Sequence, residues 1–264
     1  MHHTLTQSDL VSRFAPIVAA HRSGAFLKGD MLSALTLHAE GRLSVVYAPF
    51  DHVPTKAKLV VLGITPGAVQ AENALAAFRT ALQAGLPHAE ASRRAKLTGS
   101  FSGPMRDNLV AMLDHVGAQH TLGTASCAEV FEPARELAHF TSALRYPVFV
   151  AGENYNGTPD MLSTPILRRM VETHLASEAR ALPDAIWLPL GPKALAAMQH
   201  LVRLGVIDRS RVLEGLPHPS GANGERIAYF LGRKPRVELS VKTAPAPIDA
   251  AREALRAQLA RLAA

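Results

Sequence analysis

Two short stretches, far apart in the chain, hold residue types at a spacing that chemistry can use. The first is Gly63-Ile64-Thr65-Pro66-Gly67, which follows the apolar run Leu59-Val60-Val61-Leu62 and precedes a helical pattern over residues 71–82. An unbroken apolar run of this length suits a strand buried on both faces of a parallel sheet. A strand that ends in a Gly/Pro turn before a helix presents backbone N–H groups at its carboxyl edge, where open α/β sheets bind ligands. The second stretch is Gly215-Leu216-Pro217-His218-Pro219-Ser220-Gly221, placed after an expected strand at residues 211–213. It offers an imidazole between two prolines, followed by a hydroxyl and a glycine. Each stretch also has a plain alternative: an ordinary βα turn for the first, a structural hydrogen-bonding histidine for the second.

The elements that must position these stretches follow from the pattern of apolar residues. Further buried strands are expected at residues 147–151, ending in Gly152-Glu153-Asn154-Tyr155-Asn156-Gly157, and at residues 185–190, running into Gly191-Pro192-Lys193 and a helix over residues 194–204. Four strands alternating with helices predict an α/β fold, a three-layer α/β/α sandwich with a central four-stranded parallel sheet. An amphipathic helix over residues 6–22 shows Leu10, Val11, Phe14, Ile17 and Val18 on one face and a kink at Pro16. A short strand is expected at residues 43–47, and residues 84–104 read as a long connection with a helical insert. Ala244-Pro245-Ala246-Pro247 reads as a short stiff linker to a last helix with Leu255 and Leu259 on its apolar side. The expected organisation is one domain over residues 1–240, its core at about 56–232, followed by linker and helix at 241–264.

Composition narrows the function classes. Of 264 residues, 48% are hydrophobic, and no uninterrupted apolar run approaches the ~18 residues that a membrane span requires. The start Met1-His2-His3-Thr4 lacks a basic segment followed by an apolar core, so the expected location is the cytoplasm. Lys plus Arg exceed Asp plus Glu by 28 to 22, which favours a polyanionic partner. Cys127 is the only cysteine, which rules out an intrachain disulfide framework and any four-cysteine cluster; its small neighbours suggest a packed thiol. The twelve histidines form no HExxH and no closely spaced Cys/His set, so neither metal nor cofactor is expected.

Taken together, four segments resemble the uracil-DNA glycosylase superfamily. Gly63-Ile64-Thr65-Pro66-Gly67 resembles its first motif, GxxPG or GQDPY, and His218-Pro219-Ser220 its HPS loop. Gly99-Ser100-Phe101-Ser102-Gly103-Pro104 is similar to the G-x-P-F-x-G segment of the branches that carry an iron–sulfur cluster, and Leu190-Gly191-Pro192-Lys193-Ala194-Leu195 to the shared LGxxA turn. Order and spacing fit over about residues 56–232. The missing cysteines set this chain apart from the cluster-containing branches.

The resemblance implies a monofunctional DNA glycosylase of base excision repair, monomeric, with DNA as partner. It would flip a deaminated base out of the stack and hydrolyse its N-glycosidic bond. Phe101 would stack on the base, its alternative being a core aromatic. Asn154 or Asn156 would read the base edge, Asn154 being preferred, although both are also good turn formers. Gly63, Ile64 and Gly67 would complete the base pocket. His218 would donate to O2 of the departing uracil. Pro66, Pro219, Ser220, Gly221, Asn223, Gly191 and Lys193 would contact DNA. The departure is Thr65, where active relatives carry Asp or Asn, or an acidic residue one place earlier. Thr65 can orient a water but cannot balance positive charge; Gln70, Glu72 or Glu153 would have to compensate. That departure supports a rival, a non-catalytic binder of damaged or abasic DNA. A Rossmann-type nucleotide enzyme is a weaker rival, since GxGxxG and Walker sequences are missing.

Overall fold

Leu59, Val60, Val61 and Leu62 are completely buried, as a strand covered on both faces requires. The computed structural model describes residues 7–99, 104–132 and 134–263. Seven strands lie among them: Thr36–Glu40 (β1), Leu43–Val46 (β2), Leu59–Gly63 (β3), Ala138–Ser142 (β4), Val148–Val150 (β5), Glu153–Asn154 (β6) and Ile186–Pro189 (β7). They form two sheets in a mixed α/β fold. The chain divides into two compact units, one drawn from Met1–Val53, Ile64–Ser100 and Thr141–Leu175, the other from Pro54–Gly63, Phe101–Phe140 and Ala176–Ala264.

The first unit holds an antiparallel sheet in the order β1-β2-β5-β6. Residues 147–151, expected in the parallel sheet, instead pair antiparallel with β2, Leu43 opposite Val150 and Val45 opposite Val148. Apolar content alone does not reveal strand direction, which explains the misassignment. The helix Ala68–Gln83 is rich in alanine and has no internal Gly or Pro. It buries Ala71, Ala74, Leu75, Phe78 and Ala81 on one stripe. The helix His88–Gly99 packs against it very closely. A Cβ on Gly99 would lie 3.0 Å from the Gln70 carbonyl oxygen and 3.0 Å from Phe50 Cε1. Gly99 is therefore a packing glycine at a helix end. The amphipathic helix Gln7–Ala20 buries Leu10, Val11, Phe14 and Val18 around the internal Pro16.

The second unit holds the sheet β4-β3-β7, with β3 and β7 parallel, Leu59 opposite Ile186 and Leu62 opposite Pro189. The expected fourth parallel strand at residues 211–213 contributes a single parallel bridge, Trp187 to Val212. The sheet thus has three strands, and its third member, β4, is one that the apolar pattern hides. Polar residues take its most buried positions, His139 and Thr141, while Ala138 and Phe140 pack half-buried against the core cluster. His139 Nε2 lies 2.7 Å from Glu178 Oε2, and both side chains are buried.

The C-terminal helix Pro245–Ala263 belongs to this unit's core. Leu255 and Leu259 are buried in the cluster that contains Leu59, Val61, Ile186, Leu188 and Phe230. Pro245 and Pro247 form its first turn, where the missing N–H costs nothing, so this segment is a helix start and not a linker. Cys127 is packed as expected. Burial, and Asp114 beside it, push its thiol far above the ordinary range.

Candidate functional site

In the first unit the turn Ile64–Gly67 is built by bonds that side chains supply. The Thr65 hydroxyl donates to the Tyr146 carbonyl (3.1 Å) and accepts from the Val148 N–H (3.2 Å), joining the turn to the start of β5. The Leu144 N–H donates to the Ile64 carbonyl (3.0 Å). Gln70 Oε1 accepts from the Gly67 N–H (3.0 Å), as in a capping box read backwards from the third helical position. Asn154 Oδ1 accepts from the Ala68 N–H (2.8 Å). The backbone donors expected to face a ligand at Gly67 and Ala68 are thus satisfied internally.

These bonds separate the two asparagines. The Asn154 carboxamide lies against Gly67, 3.6 Å from where a Cβ would be, and the Ala68 N–H fixes which way its oxygen faces. Its Nδ2 keeps two donors and its Oδ1 a second lone pair for another partner. Asn156 instead caps its own loop, Oδ1 accepting from the Thr158 N–H (3.2 Å), an Asx turn. Of the side chains that might have compensated for Thr65, Gln70 is the helix cap, and Glu72 accepts from the Phe26 and Leu27 N–H groups (3.0 and 2.8 Å). Glu153 is exposed on β6, next in sequence to Asn154 and so directed to the opposite face. Pro66 is buried, so its ring shapes the turn and is not presented to a partner.

In the second unit His218 is half-buried. Its Nδ1 accepts from the Ser220 N–H (3.3 Å), and burial lowers its pKa below the ordinary value. A neutral imidazole that accepts at Nδ1 must carry its proton at Nε2. The loop around it is braced at several points. Asn108 Nδ2, from the helix Pro104–His115, donates to the Pro219 carbonyl (2.9 Å). Asn223 Nδ2 donates to Ser220 Oγ (3.3 Å), and the turn Gly221–Asn223 leads into the helix Gly224–Phe230. Pro219 is buried, whereas Gly221 is exposed.

Gly191 adopts φ of +91°, a conformation that favours glycine, and caps the helix Pro192–Arg203 with Lys193 in its first turn. Gly63 closes β3, half-buried. Phe101 lies outside the described residues. Sequence reasoning missed Asn108 and the capping duty of Gln70; the three-residue spacing of Gln70 from Gly67 was the available signal for the latter.

Among the described residues no helix is long and apolar enough to cross a membrane. No family model matches the chain, and no solved structure matches it at a significant level. The chain is 34% identical to the "Uncharacterized protein YoxB" of Bacillus subtilis (strain 168) over 230 residues, covering 86% of this chain and 90% of that protein. Similarity at that level along nearly the whole of both chains makes them one fold and one lineage: the chain belongs to the YoxB family.

Proposed function

We propose that the protein is a monofunctional DNA glycosylase related to the uracil-DNA glycosylases, hydrolysing the N-glycosidic bond of uracil or a related deaminated base and leaving an abasic site. In this reading the parallel strands and the Val212 bridge are the centre of a three-layer α/β/α sandwich, and the protein acts as a cytoplasmic monomer on DNA. The observation that carries it is the state of His218: lowered in pKa by burial and accepting at Nδ1 from the Ser220 N–H. Such an imidazole is neutral at pH 7 and offers Nε2–H as a donor.

The reaction breaks the bond between C1′ of the sugar and N1 of the base, and the bonding electron pair leaves with the base. Negative charge builds on the base O2, to which His218 Nε2–H donates. A fixed donor at a developing anion is worth about 10²–10³ in rate. Water adds to C1′, and the proton it loses is taken up through solvent by the departing base anion, leaving neutral base and abasic sugar. Asn154 would read the base edge, Nδ2 donating to a carbonyl and the second Oδ1 lone pair accepting an N–H.

The test is single-turnover excision on a uracil-containing oligonucleotide. Wild-type protein is expected to release the base, and His218→Ala to do so about 10²–10³-fold more slowly while binding an abasic-site duplex with near wild-type affinity. Equal rates in the two proteins would end the assignment of His218. A second reading, a non-catalytic binder of damaged DNA, is favoured by the bonds of Thr65, Gln70 and Glu72, which commit these side chains to backbone partners. Tight binding to abasic duplex without any excision by the wild type would select it.

A further inference from the structure

The chain from Arg233 to Lys242, between the helix Gly224–Phe230 and the C-terminal helix, is irregular except for one short turn at Arg236–Glu238. Its shape is nevertheless fixed by one carboxylate. Glu225 accepts from Lys234 Nζ (2.8 Å), Ser240 N–H (3.1 Å), Ser240 Oγ (2.6 Å) and Thr243 Oγ1 (2.5 Å). These four bonds hold its carboxyl well below the ordinary range. Arg226 adds a brace, Nη2 donating to the Lys242 carbonyl (3.4 Å).

What this clamp holds is unusual for a surface loop. Val237 is 92% exposed and Val241 104% exposed, four residues apart, and the same short segment carries exposed Arg233, Arg236 and Lys242. Glu238 is the only acidic side chain of the segment, and Glu225 is occupied by its four bonds. A lone exposed valine needs no explanation. Two on a pinned loop among three cations form a surface complementary to a partner that is polyanionic and has apolar edges. A nucleic acid groove has both: phosphates along its rims and sugar and base edges inside. A loop that is already ordered loses little conformational entropy on binding, which favours affinity.

We propose that the loop Arg233–Lys242 is a DNA-contacting element, with Arg233, Arg236 and Lys242 on phosphates and Val237 and Val241 against the sugar edges of the groove. It rests on the reading of DNA as partner but not on catalysis. The loop begins two residues after the helix Gly224–Phe230, which itself follows the His218 loop through the turn Gly221–Asn223. On that reading it would add to the contact proposed for Ser220 and Gly221.

The experiment measures binding of full-length protein to a fluorescein-labelled duplex carrying a tetrahydrofuran abasic-site analogue, by anisotropy, across a salt series. Each phosphate contact contributes about 0.9 to the slope of log K against log salt. The triple variant Arg233→Ala, Arg236→Ala, Lys242→Ala should flatten the slope by about 2.7, which is three contacts at ~0.9 each. Val237→Ser with Val241→Ser should weaken binding several-fold at an unchanged slope. Neither change touches the packed core, and circular dichroism with a melting curve verifies the fold. Glu225→Gln, which removes the clamp's charge, should reduce affinity without removing a contact group.

Wild-type affinity and slope in the triple variant would overturn the proposal, as would a wild-type protein that does not bind DNA. Weaker binding with no change of slope would overturn the phosphate assignment and point to a protein partner instead. Excision of uracil by a loop variant with wild-type binding would sink the loop and leave the glycosylase reading standing. Loop-dependent DNA binding without excision would do the reverse.

Discussion

Thr65 is where this chain departs from the motif that it resembles, and its hydroxyl makes two bonds that can be weighed. Thr65→Val keeps the β-branched shape and removes only the donor to the Tyr146 carbonyl and the acceptor of the Val148 N–H. A typical intramolecular hydrogen bond contributes about 0.5–1.5 kcal/mol net, so the pair is worth about 1–3 kcal/mol. Val148 is buried, which places its unpartnered N–H toward the upper part of that range. For a protein of this size about 2–4 °C of melting temperature goes with each kcal/mol. Urea midpoints and melting curves should therefore fall in Thr65→Val and recover in Thr65→Ser, which restores the hydroxyl. Hydrogen exchange at the Val148 amide is the most local readout and should accelerate in the valine variant alone. Thr65→Asn separates structure from chemistry. A weak water holder predicts faster excision in that variant, whereas a stitching hydroxyl predicts lower stability and no gain. Wild-type midpoint and wild-type Val148 protection in Thr65→Val would refute the stitching argument.

Burial lowers the His218 pKa, so its neutral form persists below the ordinary ~6.5. The stability linked to this group is then complete above pH ~6.5 and is lost as pH falls toward the lowered folded value. The acid limb of the excision rate should lie below pH 6.5 and vanish in His218→Gln, as a pH–rate profile would register. At Gly215, φ is +95° and a Cβ would stand 2.6 Å from Ala251 Cβ on the C-terminal helix. Gly215→Ala should cost about 2–5 kcal/mol, from ~1–2 for the left-handed backbone and ~1–3 for overpacking, as a urea denaturation curve would measure. In the proposed pocket the small residues Gly67 and Ala68 would build no wall beside C5, and a methyl-sized difference in a pocket is worth only about 1–3 kcal/mol. Oligonucleotides bearing uracil, 5-hydroxymethyluracil, hypoxanthine and xanthine should therefore be cleaved at modestly different rates, and cleavage of uracil alone would contradict the open pocket.

The strands that were legible in the sequence are those whose burial is apolar throughout. Leu59 to Leu62 and Ile186 to Leu188 announce themselves because every position is buried, whichever face it lies on. β4 does not, because one of its two covered faces carries His139 and Thr141 while Ala138 and Phe140 pack on the core cluster from the other, so its five residues show no unbroken apolar run. The price of burying His139 is met by Glu178, 39 residues away in the chain, and no local pattern predicts such a partner. Strand direction at residues 148–150 was hidden for a related reason: pairing with β2 or with β3 would bury the same side chains. At the candidate site the sequence prefers Asn154 over Asn156 as the base reader, and the structure sets the Asn154 carboxamide against Gly67. The Asn108 bond to the Pro219 carbonyl spans 111 residues and was not.

The two prolines assigned to DNA contact are both buried, and that changes what the motifs are for. A buried ring fixes φ near −65° and removes a donor, so Pro66 and Pro219 determine the path of their loops and leave contact to their neighbours. At the first loop almost everything able to bond is already bonded: Thr65 to Tyr146 and Val148, Gly67 to Gln70, Ala68 to Asn154. Such a turn is rigid before any ligand arrives, and the Asn154 amino group and second Oδ1 lone pair are what it has left to offer. The second loop is organised the other way, because the bond from Ser220 orients the His218 ring and releases Nε2–H instead of consuming it. Under the proposed function each loop has its own duty, the first as a rigid reader and the second as an oriented donor. On this argument Asn154→Ala should blunt discrimination among bases, measured as the spread of excision rates over the four-lesion panel, whereas His218→Ala should slow all four alike. If His218→Ala instead changed the ranking of the bases, the two assignments would be wrong together.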